Sequence, residues 1–82
     1  MKQLVIFSAS WCTSCNDYKK VIQDNVIPVD NIRVYDVDAS PDLAHDYGIR
    51  SIPTSLILTD GVETARKTGA MTREVLMKFI GN

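Results

Sequence analysis

Hydrophobic and polar positions along the chain divide it into segments of two kinds. Apolar or alternating runs predict strands, and apolar residues recurring every three or four positions predict amphipathic helices. The predicted strands are Gln3 to Ser8, Ile32 to Val37, Thr54 to Thr59 and Val62 to Thr68. Helical patterns follow the first strand, follow the second strand and close the chain. The resulting order is β-α-β-α-β-β-α.

The first strand leads directly into a helix that carries two cysteines. Gln3 to Ser8 is almost continuously apolar, which is typical of a strand buried on both faces at the centre of a sheet. The helical pattern begins at Ser14, so Cys12 and Cys15 fall in its first turn. Its apolar stripe is Cys15, Tyr18, Val21 and Ile22.

Capping and turn residues set the later boundaries. Ser40-Pro41 predicts the start of a short helix that Gly48 ends, and Asp60-Gly61 predicts a tight hairpin. Thr72 is expected to cap the last helix. The buried stripe predicted for that helix is Val75, Leu76, Phe79 and Ile80.

These elements predict an α/β fold in which a four-stranded mixed sheet has helices on both faces. The chain of 82 residues, 45% of them hydrophobic, predicts one domain over residues 1–82. Periodicity does not give the order of strands in the sheet.

The net charge and the short apolar run near the N-terminus argue against nucleic-acid binding and membrane insertion. Nine basic and ten acidic residues give a net charge of -1, so no nucleic-acid or polyphosphate ligand is expected. The apolar run from Leu4 to Phe7 is too short for a signal peptide or a membrane span. We therefore expect a cytoplasmic protein without a membrane partner.

Two cysteines can form a structural disulfide, part of a metal site or a redox pair. A tetrahedral zinc site needs four ligands, and His45 is the one candidate besides the cysteines, so no metal is expected. A disulfide closing such a short loop stabilises a fold by only about 2 kcal/mol. The C-x-x-C spacing therefore favours a redox pair.

A thiolate is the nucleophile of disulfide exchange. Cys12 lies between a strand and a helix, so the positive end of the helix should lower the pKa of its thiol. Its sulfur is also the expected exposed nucleophile. Cys15 lies one turn later and deeper, and is the expected resolving thiol.

Two motifs resemble the thioredoxin family. They are the runs Trp11-Cys12-Thr13-Ser14-Cys15 and, further along, Tyr47 to Thr54 (YGIRSIPT). The similarity also covers Phe7-Ser8-Ala9, Asp38, Asp60-Gly61 and Gly69-Ala70. Thioredoxins usually have another strand and helix ahead of the first strand here, so we expect a minimal version of that fold.

The resemblance implies roles for further residues. The Ile52-Pro53 peptide bond is expected to be cis and to lie beside the disulfide, with the Ile52 backbone pairing to a bound substrate strand. Trp11 is expected to cover the disulfide and to form a docking rim with Ile52, Gly69 and Ala70. Met71 is expected on that docking face, Met77 in the core, and His45 on an exposed helix surface.

The family also implies partners. The chain is expected to bind no cofactor and to receive electrons from a thioredoxin reductase that uses NADPH and a flavin. It would act as a monomer and donate electrons to protein disulfides, such as those of ribonucleotide reductase.

Several positions depart from the family pattern. Ile6 and Val34 stand where thioredoxins commonly have a buried aspartate and a nearby lysine, so the usual proton acceptor for Cys15 is absent. Thr13-Ser14 replaces a glycine-proline pair, and either hydroxyl could bond the Cys12 thiolate or simply cap the helix. Lys20 replaces a helix-kinking proline, which predicts a straighter helix.

Two other functions stay open at the level of sequence. A glutaredoxin is the nearest alternative, although Ser51-Ile52-Pro53 and Gly69-Ala70-Met71 differ from the glutathione-binding residues of that family. A binding module that uses the cysteines as a redox sensor is the other.

Overall fold

The computed structural model describes residues 1–81 and contains the predicted elements in the predicted order. The strands are β1 (Lys2–Ser8), β2 (Asn31–Asp36), β3 (Thr54–Thr59) and β4 (Val62–Thr68). The helices are α1 (Thr13–Gln23), α2 (Pro41–Asp46) and α3 (Arg73–Gly81). No helix in this part of the chain is both long enough and apolar enough to cross a membrane.

The strands form one mixed sheet in the order β2-β1-β3-β4. β1 pairs in parallel with β2 and antiparallel with β3, and β3 pairs antiparallel with β4. The central strand β1 is buried from Leu4 to Ser8, as its continuous apolar run predicts. The mixed four-stranded sheet is confirmed, and its strand order is new information.

Each face of the sheet has its own core because successive side chains of a strand point to opposite faces. Leu4 and Ile6 of β1 pack with residues of α1 and α3. Val5 and Phe7 pack on the other face with α2 and the segment that follows it. Helices therefore cover both faces, and α1 lies on the same face as Ile6.

Local turn chemistry closes the elements as predicted, with one exception. Asp60 and Gly61 have φ angles of 51° and 85°, which suit the two central positions of a tight hairpin. The Thr72 hydroxyl accepts the Val75 N–H at 3.3 Å and caps α3. Ser40 precedes Pro41 at the start of α2, but its side chain makes no capping hydrogen bond.

Four predictions of boundary or environment were wrong, and two of them concern β2 and α3. β2 runs from Asn31 to Asp36 rather than from Ile32 to Val37. Val75 is 41% exposed, since Leu76 and Ile80 are the residues of α3 that face the sheet.

The two methionines also differ from expectation. Met71 is buried in the core with Leu4 and Ile6, so it does not lie on a docking face. Met77 is only half-buried. His45 is exposed on α2, as expected.

Candidate active site

The two cysteines form a disulfide across the first turn of α1. Cys12 is the N-cap residue and Cys15 lies one turn later, with 5.2 Å between their Cα atoms. Cys12 retains 9% of its surface and Cys15 only 1%. The predicted difference in depth is present, but Cys12 is less exposed than predicted because Ala9, Val37 and Ile52 pack around the pair.

Hydrogen-bond donors converge on the Cys12 sulfur. The backbone N–H of Cys15 donates to Cys12 Sγ at 3.2 Å, in the manner of an N-cap side chain. Ser14 Oγ lies 3.5 Å from the same sulfur. Together with the positive end of the helix, these groups stabilise negative charge on Cys12.

The two residues between the cysteines differ in position. Ser14 Oγ is within hydrogen-bond distance of Cys12, whereas Thr13 makes no side-chain hydrogen bond within residues 1–81. Both side chains are exposed. Of the two hydroxyls considered from the sequence, Ser14 is therefore the one beside the sulfur. α1 runs without interruption through Lys20, where the family often has proline.

A proline and a glycine meet at the edge of the site. The Ile52–Pro53 peptide bond is cis and Pro53 is fully buried, while Ile52 packs against the cysteines. Gly69, in a conformation with φ of 94°, donates its N–H to the Pro53 carbonyl at 2.8 Å. Ala70 follows on an exposed turn. The structure thus brings Pro53 and Gly69 together from distant parts of the chain.

Trp11, next to Cys12 in the chain, is largely exposed and is held by Asp38. Its side chain is among the large exposed hydrophobics, at 68%, and its indole N–H donates to Asp38 Oδ2 at 2.7 Å. The hydrogen bond ties the Trp11 loop to the loop after β2. The exposure of Trp11 and its bond to Asp38 fix the indole beside this loop, and its role as a cover for the disulfide stays a prediction.

A pocket of about 190 Å³ opens beside the indole. Its lining is mostly apolar and comes from three loops and α2, namely Trp11, Val37, Ala44, Ile49, Arg50, Ser51 and Ile52. It adjoins the cysteines because Val37 and Ile52 also pack against them. The surface next to the disulfide is thus concave and apolar.

A hydrogen bond inside the core supports α1 from below. Tyr18 Oη lies 2.8 Å from Ser55 Oγ, and both residues are almost completely buried, at 1% and 0% exposed. Burial raises the pKa of the Tyr18 phenol, and the Ser55 hydroxyl partly opposes that rise. Ser55 is the β3 partner of Ile6, so this polar pair lies beside the position where thioredoxins commonly have an aspartate.

Sequence reasoning identified the cysteines, Pro53 and the loop of Gly69, but it missed three contributors. Asp38 belongs to the resemblance, but no sequence signal indicates its bond to Trp11. Tyr18 belongs to the apolar stripe of α1 and Ser55 to β3, and neither position by itself indicates the bond between them. Within residues 1–81 no three His, Cys, Asp or Glu side chains converge as metal ligands would.

Comparison with known proteins decides the family. The Thioredoxin family model matches residues 1–82. The chain belongs to the thioredoxin family. It is 37% identical over 79 residues to the thioredoxin of Chlamydia muridarum, which covers 94% of this chain and 78% of that protein.

Solved thioredoxin structures show the same fold. A point mutant of the thioredoxin from Halobacterium salinarum NRC-1 superposes with a TM-score of 0.87 at 29% identity, covering 96% of this chain and 71% of the other. A thioredoxin from Nicotiana alata gives a TM-score of 0.81 at 31% identity, covering 98% and 71%. This thioredoxin is accordingly a thiol–disulfide oxidoreductase, a dithiol electron donor whose redox pair is Cys12 and Cys15.

Proposed function

We propose that Cys12 attacks a disulfide of a substrate protein and that Cys15 resolves the resulting mixed disulfide. The observation that supports this order is the convergence of the Cys15 N–H and Ser14 Oγ on Cys12 Sγ. These donors and the helix N-terminus favour the thiolate of Cys12 over that of Cys15. The deeper Cys15, at 1% exposed, is accessible to its neighbour rather than to a bulky substrate.

The exchange has two steps. The Cys12 thiolate forms a bond to one substrate sulfur, and the other substrate sulfur leaves as a thiolate that takes a proton from solvent. Cys15 then loses its proton and attacks Cys12, which releases the second substrate sulfur. The substrate leaves as a dithiol, and the chain ends with the Cys12–Cys15 disulfide.

Substrate docks, in this proposal, on the apolar surface around the disulfide. Its contact residues are Trp11, Ile52, Pro53, Gly69 and Ala70, of which Trp11, Ile52, Gly69 and Ala70 form the rim. The bond from Gly69 N–H to the Pro53 carbonyl supports a rim of fixed shape. A strand of the substrate would pair with the backbone of Ile52 and place its disulfide next to Cys12.

We further propose that a thioredoxin reductase using NADPH and a flavin reduces this chain, which itself binds no cofactor. Its substrates are protein disulfides such as those of ribonucleotide reductase. Residues 1–82 act as one domain and as a monomer in the cytoplasm. The net charge of -1 supports recognition by local contacts rather than by a strong overall field.

Reduction of insulin disulfides tests the proposal. With NADPH and a thioredoxin reductase we expect turnover, and we expect Cys12→Ser to abolish it. Cys15→Ser should still attack and should accumulate a mixed disulfide, visible by mass spectrometry as a covalent adduct through Cys12. The Cys12→Ser variant should form an adduct through Cys15 much more slowly. If it formed that adduct as fast as Cys15→Ser forms one through Cys12, the assigned order would be contradicted.

The electron source is tested in the same assay. Replacing the reductase by glutathione and glutathione reductase should give much slower turnover. Faster turnover with glutathione would favour a glutaredoxin, and no turnover with either would favour a binding module with a redox-sensing pair.

A further inference from the structure

One buried hydroxyl next to the site has no partner. Ser8, the last residue of β1, is 1% exposed, and its Oγ is the buried side-chain polar atom without a hydrogen bond within residues 1–81. The other buried polar side chains in this part of the chain are satisfied. Thr54 donates to the Ser51 carbonyl at 2.6 Å, and Ser55 bonds Tyr18.

The alternation of β1 gives the direction of this hydroxyl. Leu4, Ile6 and Ser8 share one face of the strand, and the first two pack in the same core cluster as Tyr18 of α1. Ser8 therefore also points toward the face that α1 covers.

The path of α1 places Cys15 at the level of Ser8. β1 and β2 are parallel, so the connecting helix α1 runs back along β1. Moving from Ile6 to Ser8 advances about 7 Å along the strand, and moving from Tyr18 back to Cys15 retreats about 4.5 Å along the helix. Ser8 thus lies opposite the first turn of α1, where the cysteines are.

The residues beside Ser8 in the two neighbouring strands offer its hydroxyl no hydrogen-bond partner. The antiparallel register of β1 and β3 ends at Phe7 and Thr54, so the next residue beside Ser8 is Pro53, which has no N–H to offer. The residue beside Ser8 in β2 is Asp36, whose Oδ1 already accepts the Asp38 N–H at 2.8 Å. No Asp, Glu, Lys, Arg or His side chain is buried in residues 1–81.

We propose that the Ser8 hydroxyl donates a hydrogen bond to the Cys15 sulfur once the disulfide has opened, and so assists the second exchange. The proposal rests on the proposed function, in which Cys15 resolves the mixed disulfide. It answers how Cys15 reacts in a chain that has Ile6 in place of a buried aspartate. An unpaired buried hydroxyl is unfavourable, and a sulfur anion formed beside it supplies the missing acceptor.

The step balances without a further reactant. Cys15 loses its proton to water, and the Ser8 O–H keeps its own proton while donating to the thiolate. The thiolate bonds to Cys12 Sγ, the bond between Cys12 and the substrate sulfur breaks, and that sulfur leaves with the electron pair and takes a proton from solvent.

The direct test titrates Cys15 as the sole thiol of a Cys12→Ser chain, by its rate of alkylation against pH. Adding Ser8→Ala should reduce the thiolate fraction near neutral pH about tenfold, which is a rise of about one pKa unit. Ser8→Thr retains the hydroxyl and should restore the original titration. Ser40→Ala, which removes a hydroxyl that makes no capping bond, should leave it unchanged.

A kinetic readout complements the titration. In a chain with both cysteines, Ser8→Ala should slow release of the substrate from the mixed disulfide about tenfold while the first exchange keeps its rate. Unchanged Cys15 titration in Ser8→Ala overturns the proposal, and so does a larger shift from Asp36→Asn than from Ser8→Ala. Failure of the parent chain to reduce insulin would instead overturn the proposed function, because the titration does not depend on turnover.

Discussion

The N–H of Gly69 donates to the carbonyl of Pro53 at 2.8 Å and joins the end of β4 to the loop before β3. Gly69 adopts a φ of 94°, which is unfavourable for any residue with a Cβ. A Cβ added there would meet no atom within 4 Å, so a substitution acts through the backbone rather than through a clash. The backbone conformation at position 69 is therefore what favours glycine there.

Gly69→Ala is expected to reduce stability and to weaken docking together. Strain at a positive φ should cost about 1–2 kcal/mol in denaturant unfolding. Movement of the rim should raise the KM for insulin roughly threefold or more, which corresponds to about 0.7 kcal/mol, with little change in kcat. Gly61→Ala is the matched control, because Gly61 has a φ of 85° and open space around it but lies in the distal hairpin. An equal rise in KM from both variants would show that the rim has no special part.

Asp38→Ala is expected to release the Trp11 indole. The lost hydrogen bond of 2.7 Å should lower kcat/KM for insulin roughly two- to tenfold, the equivalent of about 0.5–1.5 kcal/mol. Trp11 is the single tryptophan, so collisional quenching of its fluorescence reports its freedom directly and should increase. Asp38→Asn retains an oxygen acceptor and should behave like the parent chain. Equal loss in both variants would assign the effect to the charge of Asp38 instead.

The order of elements could be predicted because each has a local signature. Asp60-Gly61 has the two residues a tight turn requires, and Thr72 has the oxygen that a helix N-terminus requires. Strand order depends on pairing between distant segments, and periodicity contains no information about which segments meet. For the same reason periodicity does not show that β2 is an edge strand, in which Val34 is 45% exposed.

In the active site, too, features with a local sequence signature could be predicted, and contacts between distant residues could not. The C-x-x-C spacing is local, and it led directly to a redox pair at a helix N-terminus. The Tyr18–Ser55 bond joins residues 37 positions apart, and each residue alone is an ordinary member of a helix or strand. Ser8 is likewise inconspicuous in sequence, because its significance comes from the lack of a hydrogen-bond partner for its buried hydroxyl within residues 1–81.

Ser14→Ala is expected to raise the pKa of the Cys12 thiol, since Ser14 Oγ lies 3.5 Å from that sulfur. The contact is long, so a rise of roughly half a unit is anticipated. Thiolate absorbance against pH in the reduced chain measures it. Thr13→Ala removes a neighbouring hydroxyl that makes no side-chain hydrogen bond in the described part of the chain, and it should leave the titration unchanged. Equal shifts in the two variants would mean that helix capping in general, rather than this contact, stabilises the thiolate.

Tyr18→Phe is expected to destabilise the oxidised chain, because it leaves the Ser55 hydroxyl buried without a partner. The expected loss is about 1–3 kcal/mol in denaturant unfolding. Combining it with Ser55→Ala should cost less than the sum of the two single variants, since both partners of one bond are then gone. Additive losses would show that the hydroxyls do not depend on each other and that the bond contributes little.

Tyr18 should also limit stability at alkaline pH. Burial raises the pKa of its phenol in the folded chain, so above pH 10, the ordinary value, the unfolded chain releases this proton more readily than the folded one. The stabilising contribution is complete below pH 10 and is lost as pH rises through the folded pKa. Unfolding free energy of the oxidised chain should therefore decrease above about pH 10 in the parent and less steeply in Tyr18→Phe. Tyr35→Phe, at a half-buried position, is the matched control, and the same flattening in that variant would remove Tyr18 as the cause.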